Sequence, residues 1–112
     1  MNTFVALSCV NIAMFVCAAI GACITMRSVK FAPSLLIRNT SIVFLIATVI
    51  MSTWFIIAQT KWIIFDHNTA VGDASAVAWL LYDYAKAIHT LAAIGILYSY
   101  LGWYKGRLKG IS

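Results

Sequence analysis

The sequence predicts an all-α integral membrane protein with three transmembrane helices in a single membrane domain, residues 1–112. Of its 112 residues, 63% are hydrophobic and only 10% are charged, and the mean hydropathy is +0.95. A soluble domain is nearer half apolar and a quarter charged, so the excess apolar surface is expected to face lipid. The apolar residues also form three stretches that each approach the ~20 residues needed to cross a bilayer.

These stretches define the order of the segments. The expected spans are residues 3–26, 41–65 and 87–104, separated by an inner loop, 27–40, and an outer segment, 66–86, and followed by a basic tail, 105–112. The first span contains no charged residue. The inner loop holds the only proline, Pro33, which disfavours helix at Ala32 and should separate the first two spans.

The outer segment begins with turn-forming residues and continues with good helix formers. Asp73 is a plausible N-cap for the helix that follows, and no helix breaker occurs from there until Gly95. We therefore expect the third helix to extend beyond the membrane at its outer end. A separate interfacial helix that bends near Lys86 is the alternative.

The distribution of charge predicts the orientation of the spans. Basic residues in short loops remain on the cytoplasmic side, whereas acidic residues contribute little. Six of the eight basic residues lie in the inner loop and the tail: Arg27, Lys30, Arg38, Lys105, Arg107 and Lys109. All three acidic residues lie in the outer segment. This pattern predicts an outer N-terminus, an inner C-terminus and basic residues that contact lipid headgroups rather than nucleic acid.

Polar residues of the second span share one face of the helix. At about 100° per residue they fall within about 20° of one line; they are Ser41, Thr48, Ser52, Gln59 and Asp66. An amide such as that of Gln59 is expected to face protein or a water-filled cavity rather than lipid. The face therefore predicts either hydrogen bonds between helices or the lining of a pore.

Small residues form ridges on the other two spans. Because small residues let helix backbones approach closely, these ridges predict helix contacts, either within one chain or between copies. The ridge of the first span is Cys9, Ala13, Cys17, Gly21 and Thr25, and the third span has Ala92, Gly95, Ser99, Gly102 and Gly106. Asn11 lies away from the first ridge and is expected to form a hydrogen bond of its own.

A charged face is predicted at the outer end of the third helix. Asp83 and Lys86 are three residues apart and so able to pair, and His89 lies about 60° further around the helix. This face predicts a solvated helix end or a protonatable vestibule. A haem bridging His67 and His89 is conceivable, but no other residue points to a cofactor, so none is expected.

The sequence contains no catalytic constellation. It lacks a Ser/His/Asp arrangement, a metal-ligand cluster, a glycine-rich phosphate loop and paired carboxylates, and it has no Glu. We therefore expect a protein that is not an enzyme and binds no metal.

The layout of three spans, an outer N-terminus and the basic tail, with Lys105, Arg107 and Lys109, resembles the class I holins of bacteriophages. The resemblance implies a non-enzymatic protein that accumulates in the bacterial inner membrane, oligomerises and opens lesions through which an endolysin reaches the cell wall. It also implies that the polar face of the second span lines the lesion and that the small ridges mediate assembly. The long, aromatic outer segment and the short tail differ from many holins.

Two other classes remain compatible with the sequence. The first is a non-catalytic subunit or anchor of a larger membrane complex, in which the ridges would contact neighbouring subunits. The second is a small regulatory or immunity-type protein that blocks another membrane protein. A holin should kill on expression and form homo-oligomers, whereas an anchor should be silent alone and co-purify with larger partners.

Overall fold

The structure, a computed structural model, describes residues 3–66 and 74–111, and every element within those ranges is helical. Helix α1 is Thr3–Met26, helix α2 is Leu35–Lys61 and helix α3 is Ala74–Ile111. A short 3-10 helix, Val29–Phe31, follows α1, and a π-helical turn, Trp62–Asp66, follows α2. The prediction of three helices that are long and apolar enough to cross a membrane is confirmed.

The connection between α1 and α2 follows from local sequence. Ala32, which precedes Pro33, has an extended backbone with φ −60° and ψ 141°, as expected for a residue before proline. The Ser34 hydroxyl then accepts a hydrogen bond of 3.2 Å from the Ile37 backbone N–H, which is a standard N-cap. As a result α2 begins at Leu35, earlier than the predicted start of the second span at residue 41.

Helix α3 is continuous for 38 residues. It passes Lys86 without interruption, so the extended helix, and not a separate interfacial helix, is observed. The helix also includes the basic tail as far as Ile111. The predicted N-cap, Asp73, lies outside the described residues. At 1.5 Å per residue α3 is about 57 Å long, close to the 60 Å long dimension of the bundle, whose other dimensions are 18 Å.

Helix α1 is the central helix of the bundle. It packs against both α2 and α3, whereas α2 and α3 contact each other at few points. Apolar residues from all three helices meet in the core, including Ala18 and Ala22 of α1, Leu45 of α2, and Ile94 and Leu101 of α3. One end of the bundle contains Gln59 and the starts of α1 and α3; we refer to it as the Gln59 end and to the opposite one as the Lys30 end.

The buried face of α1 differs from its predicted small-residue ridge. The buried positions are Ser8, Asn11, Phe15, Ala18, Ala22 and Thr25. Of the ridge, only Thr25 is buried and Gly21 is half-buried, while Cys9, Ala13 and Cys17 are exposed. Most of the ridge therefore makes no interior contact within the chain, which leaves contact between copies as the alternative. Residue size alone did not identify the buried face of α1, because small residues occur on both its buried and its exposed face.

Candidate functional site

The polar residues of α2 point into the bundle. Ser41, Thr48, Ser52 and Gln59 are all buried, whereas Trp54 and Ile50 on the opposite side are exposed. The Asp66 side chain lies outside the described part of the chain. The periodicity of these residues predicted that they share one face of α2, and in the single chain this face packs against the other helices.

A hydrogen bond links the end of this face to α3. Gln59 Nε2 donates to Asp83 Oδ2 over 2.8 Å. Sequence spacing predicted only that Asp83 can pair with Lys86, because such spacing relates neighbours on one helix and not residues on different helices. The one signal for the observed partner was that Gln59 precedes the outer segment and Asp83 lies near its end, so that both residues are expected at the outer ends of their helices.

Lys86 rests on aromatic rings near this bond. Its Nζ lies 4.9 Å from the centroid of the Phe55 ring and 4.9 Å from that of Tyr82, distances typical of cation–π interactions. Phe55 also stacks on Phe15 of α1, with centroids 4.9 Å apart and an interplanar angle of 10°. The predicted charged face is thus divided: Asp83 and Lys86 contact α2, whereas His89 is exposed.

Asn11 provides a third contact between helices at the Gln59 end. Its Nδ2 donates to the Leu80 carbonyl oxygen of α3 over 3.1 Å, and the bond is buried. Phe15 stacks on Phe55, and α1 runs antiparallel to α2. Asn11 lies about one helical turn before Phe15, and Gln59 lies about one turn after Phe55, so both residues are displaced from the stacked rings towards the same end of the bundle. Asn11, Gln59, Leu80 and Asp83 therefore lie at the same level of the bundle.

Several buried polar atoms remain without a hydrogen-bond partner among the described residues. They are Ser8 Oγ, Asn11 Oδ1, Ser52 Oγ and Gln59 Oε1, and we refer to these four residues as the polar seam. In contrast, the buried hydroxyl of Thr48 donates to Phe44 O over 2.8 Å. A buried polar group without a partner typically costs about 1–3 kcal/mol. The polar seam thus carries hydrogen-bonding capacity that the described part of the chain does not use.

Basic residues collect at the Lys30 end. Arg27, Lys30, Arg38, Lys105 and Arg107 are exposed there, and the Lys109 side chain lies outside the described residues. The Nζ atoms of Lys30 and Lys105 lie 5.3 and 5.5 Å from the centroid of the Phe31 ring. The two groups of basic residues, which are distant in sequence, therefore form one charged end of the bundle.

The glycines of α3 face away from the interior. A Cβ atom added at Gly95, Gly102 or Gly106 would have no neighbour within 4 Å, whereas one at Gly21 would lie 3.3 Å from Ile94 Cγ2. A side chain at Gly21 would therefore press on Ile94 where α1 and α3 approach closely. The folded single chain places no such restriction on Gly95, Gly102 and Gly106.

Among the described residues no group of three or more His, Cys, Asp and Glu side chains could hold a metal ion. His67, one of the two histidines considered for haem, lies outside the described residues. Cys9, Cys17 and Cys23 are free thiols on the exposed surface of α1.

No known protein family, curated protein or solved structure matches the chain.

Proposed function

We propose that this chain is a multi-pass protein of the bacterial inner membrane that self-associates and opens lesions, as holins do, without enzymatic activity. The observation that carries the proposal is the polar seam, in which four buried polar side chains each have an atom without a partner among the residues that the structure describes. In the closed bundle this arrangement is costly. In an assembly that encloses water, the same atoms acquire hydrogen-bond partners.

The outer surface of the bundle supports insertion into lipid. Large apolar side chains are widely exposed on all three helices, including Ile20, Leu36, Val43, Ile50 and Ile96. A soluble monomer rarely exposes apolar patches of this extent. The basic residues at the Lys30 end support an orientation in which that end faces the cytoplasm, with the Gln59 end outside.

Opening of the α1–α2 interface is the step that the proposal requires. Ser52 and Gln59 are buried in this closed form, so α2 has to move relative to α1 before they line an aqueous lesion. The buried polar atoms without a partner lower the free-energy cost of this movement, because they can bind water once α2 has separated from α1. The hydrogen bonds of Gln59 to Asp83 and of Asn11 to Leu80 oppose it.

Exposed small residues supply surfaces for self-association. Gly95, Gly102 and Gly106 of α3 are open to a neighbour, and Cys9 and Cys17 present a second small surface on α1. Small residues allow close contact between helices in lipid, where the hydrophobic effect no longer drives association. Copies of the chain are therefore proposed to dock through these faces.

Release of a dye from liposomes tests the lesion directly. We expect the wild-type chain to release carboxyfluorescein and the Gln59→Leu variant to release less, because an apolar side chain disfavours a water-filled lumen. Thr60→Val is the matched control: Thr60 is exposed on the same helix and donates within it to Ile56 O over 2.7 Å. Equal release by all three proteins would contradict a lesion lined by the polar face.

The second candidate is a non-catalytic subunit or anchor of a larger membrane complex. The exposed glycines of α3 favour it equally, since a helix of another protein could occupy that face. An anchor would remain silent when expressed alone, and it would purify with larger partners rather than as a homo-oligomer.

A further inference from the structure

The surface of α2 near the Gln59 end contains a double cleft between two tryptophans. One part has a volume of about 280 Å³ and extends towards Gln59 and Asp83. The other, of about 300 Å³, extends towards Ile57 and Lys61. Both parts share Trp54, Ala58 and Trp62, so they are neighbouring halves of one groove.

Local sequence explains why the groove exists. Trp54, Ala58 and Trp62 are spaced four residues apart and lie on one side of α2, so the small alanine forms a floor between two large indoles. The π-helical turn begins at Trp62, and the Trp62 N–H is shared between the carbonyls of Ala58 and Gln59. π-helical turns are frequent at functional sites.

The first half of the groove offers hydrogen-bond acceptors to a cation. Asp83 uses one oxygen for the bond from Gln59, and a carboxylate has further lone pairs available. Gln59 lines this half and holds the Asp83 carboxylate through its amide nitrogen, while its own Oε1 is shielded from the surface. Together with the indole rings, which attract cations, the remaining lone pairs of the Asp83 carboxylate match an ammonium group that carries N–H donors.

The second half offers the opposite charge. Lys61 is exposed and lines it beside Ile57. An ammonium group of lysine binds phosphate as a point charge, and Ile57 with Trp54 provides apolar surface that continues towards the middle of the bundle. A negative charge at Asp83 and a positive charge at Lys61 therefore lie on opposite sides of the row formed by Trp54, Ala58 and Trp62, with apolar surface beside them.

We propose that this groove binds the headgroup of an aminophospholipid, with its primary ammonium at Asp83 and its phosphate at Lys61. The inference rests on the membrane insertion proposed above but not on lesion formation. Lys86 offsets part of the charge of Asp83, but its Nζ lies on the rings of Phe55 and Tyr82, and it does not line the groove. The carboxylate is therefore still available to a second cation.

Lipid titration followed by native mass spectrometry tests the proposal. The full-length chain in detergent is titrated with phosphatidylethanolamine, phosphatidylcholine or phosphatidylglycerol of the same acyl chains. We expect phosphatidylethanolamine to bind about tenfold more tightly than phosphatidylcholine, which lacks N–H donors, as is typical for hydrogen bonds to a charged group. Equal binding of these two lipids, or preference for phosphatidylglycerol, would overturn the proposal.

Two variants locate the site. Asp83→Asn retains an acceptor for Gln59 but removes the charge, and it should lower the affinity for phosphatidylethanolamine to that for phosphatidylcholine. Ala58→Leu should fill the groove and weaken both lipids, whereas Ala47→Leu, at another exposed alanine of α2, should change neither. Unchanged binding by Asp83→Asn would overturn the proposal even if Ala58→Leu failed to fold.

The outcome is separable from that of the lesion proposal. Lipid selectivity is measured on purified protein, and dye release is measured on liposomes. A chain that selects phosphatidylethanolamine but releases no dye retains this inference and loses the lesion. A chain that releases dye without lipid selectivity retains the lesion and loses this inference.

Discussion

Gln59 donates a hydrogen bond of 2.8 Å to Asp83, and this bond joins the two helices that contact each other least. Helix α1 otherwise holds α2 and α3 together from between them. The bond lies at the Gln59 end, where Asn11 also reaches α3 and where part of the polar seam is buried. Polar contacts at this end therefore determine how firmly the bundle is closed.

Removal of this bond should loosen the bundle. We expect Gln59→Leu to lower the free energy of unfolding in detergent by about 1 kcal/mol, since hydrogen bonds between membrane helices average ~0.6 kcal/mol and those to charged groups are stronger. Thermal unfolding followed by circular dichroism measures the change. Thr60→Val is the control, because its hydroxyl bonds only within α2; an equal loss in both variants would assign no special role to the contact with Asp83.

Asn11 should contribute through its contact with α3. Asn11→Ala removes the bond to the Leu80 carbonyl and leaves space in a fully buried position. We expect a loss of about 1 kcal/mol in the same unfolding measurement. Cys9→Ala, on the exposed side of the same helix, should have little effect. Similar stabilities for the two variants would argue against Asn11 as a fixed contact between helices.

Substitutions at Gly21 and Gly95 should have different effects: the first should change the stability of the single chain, and the second should change association between copies. The Cβ atom of a leucine at Gly21 would lie 3.3 Å from Ile94 Cγ2, whereas the Cβ atom of a leucine at Gly95 would have no neighbour within 4 Å among the described residues. We expect Gly21→Leu to lower the unfolding temperature in detergent. Gly95→Leu should leave that temperature unchanged but reduce the fraction of homo-oligomer seen by chemical crosslinking in membranes. Unaltered crosslinking in Gly95→Leu would show that this face of α3 does not mediate self-association.

The orientation is testable with single cysteines in a chain from which Cys9, Cys17 and Cys23 have been replaced by alanine. Trp79→Cys lies near the Gln59 end and Ser34→Cys near the Lys30 end. In spheroplasts that express the protein at a level too low to change the membrane potential, a membrane-impermeant maleimide should label the first at once and the second only after permeabilisation, because basic residues are retained in the cytoplasm. The reverse pattern would contradict the proposed orientation.

The sequence predicted the helices well because their determinants are local. Apolar length located all three helices, and Pro33 predicted the extended backbone at Ala32. The absence of a helix breaker before Gly95 favoured the continuous α3 that is observed. The start of α2 was less predictable, because it depends on Ser34 as N-cap, and this serine lies within a stretch that hydropathy assigns to a loop.

The contacts between helices were less predictable because they join residues distant in sequence. Periodicity placed Gln59 on a shared polar face but did not identify Asp83 as its partner. It likewise identified Asn11 as a residue in need of a partner without indicating the Leu80 carbonyl. The ridge with Cys9 and Cys17 predicted contact within one chain or between copies, and periodicity could not decide between them because small residues favour close contact with any neighbour; in the structure both cysteines are exposed.

The measurement that most directly tests lesion formation is the membrane potential of a bacterial host after induction, combined with the size of the protein purified in mild detergent. We predict an abrupt collapse of the potential and a homo-oligomer on the sizing column. Normal growth with an unchanged potential, and a chain recovered only together with larger partners, would contradict the lesion and support the anchor.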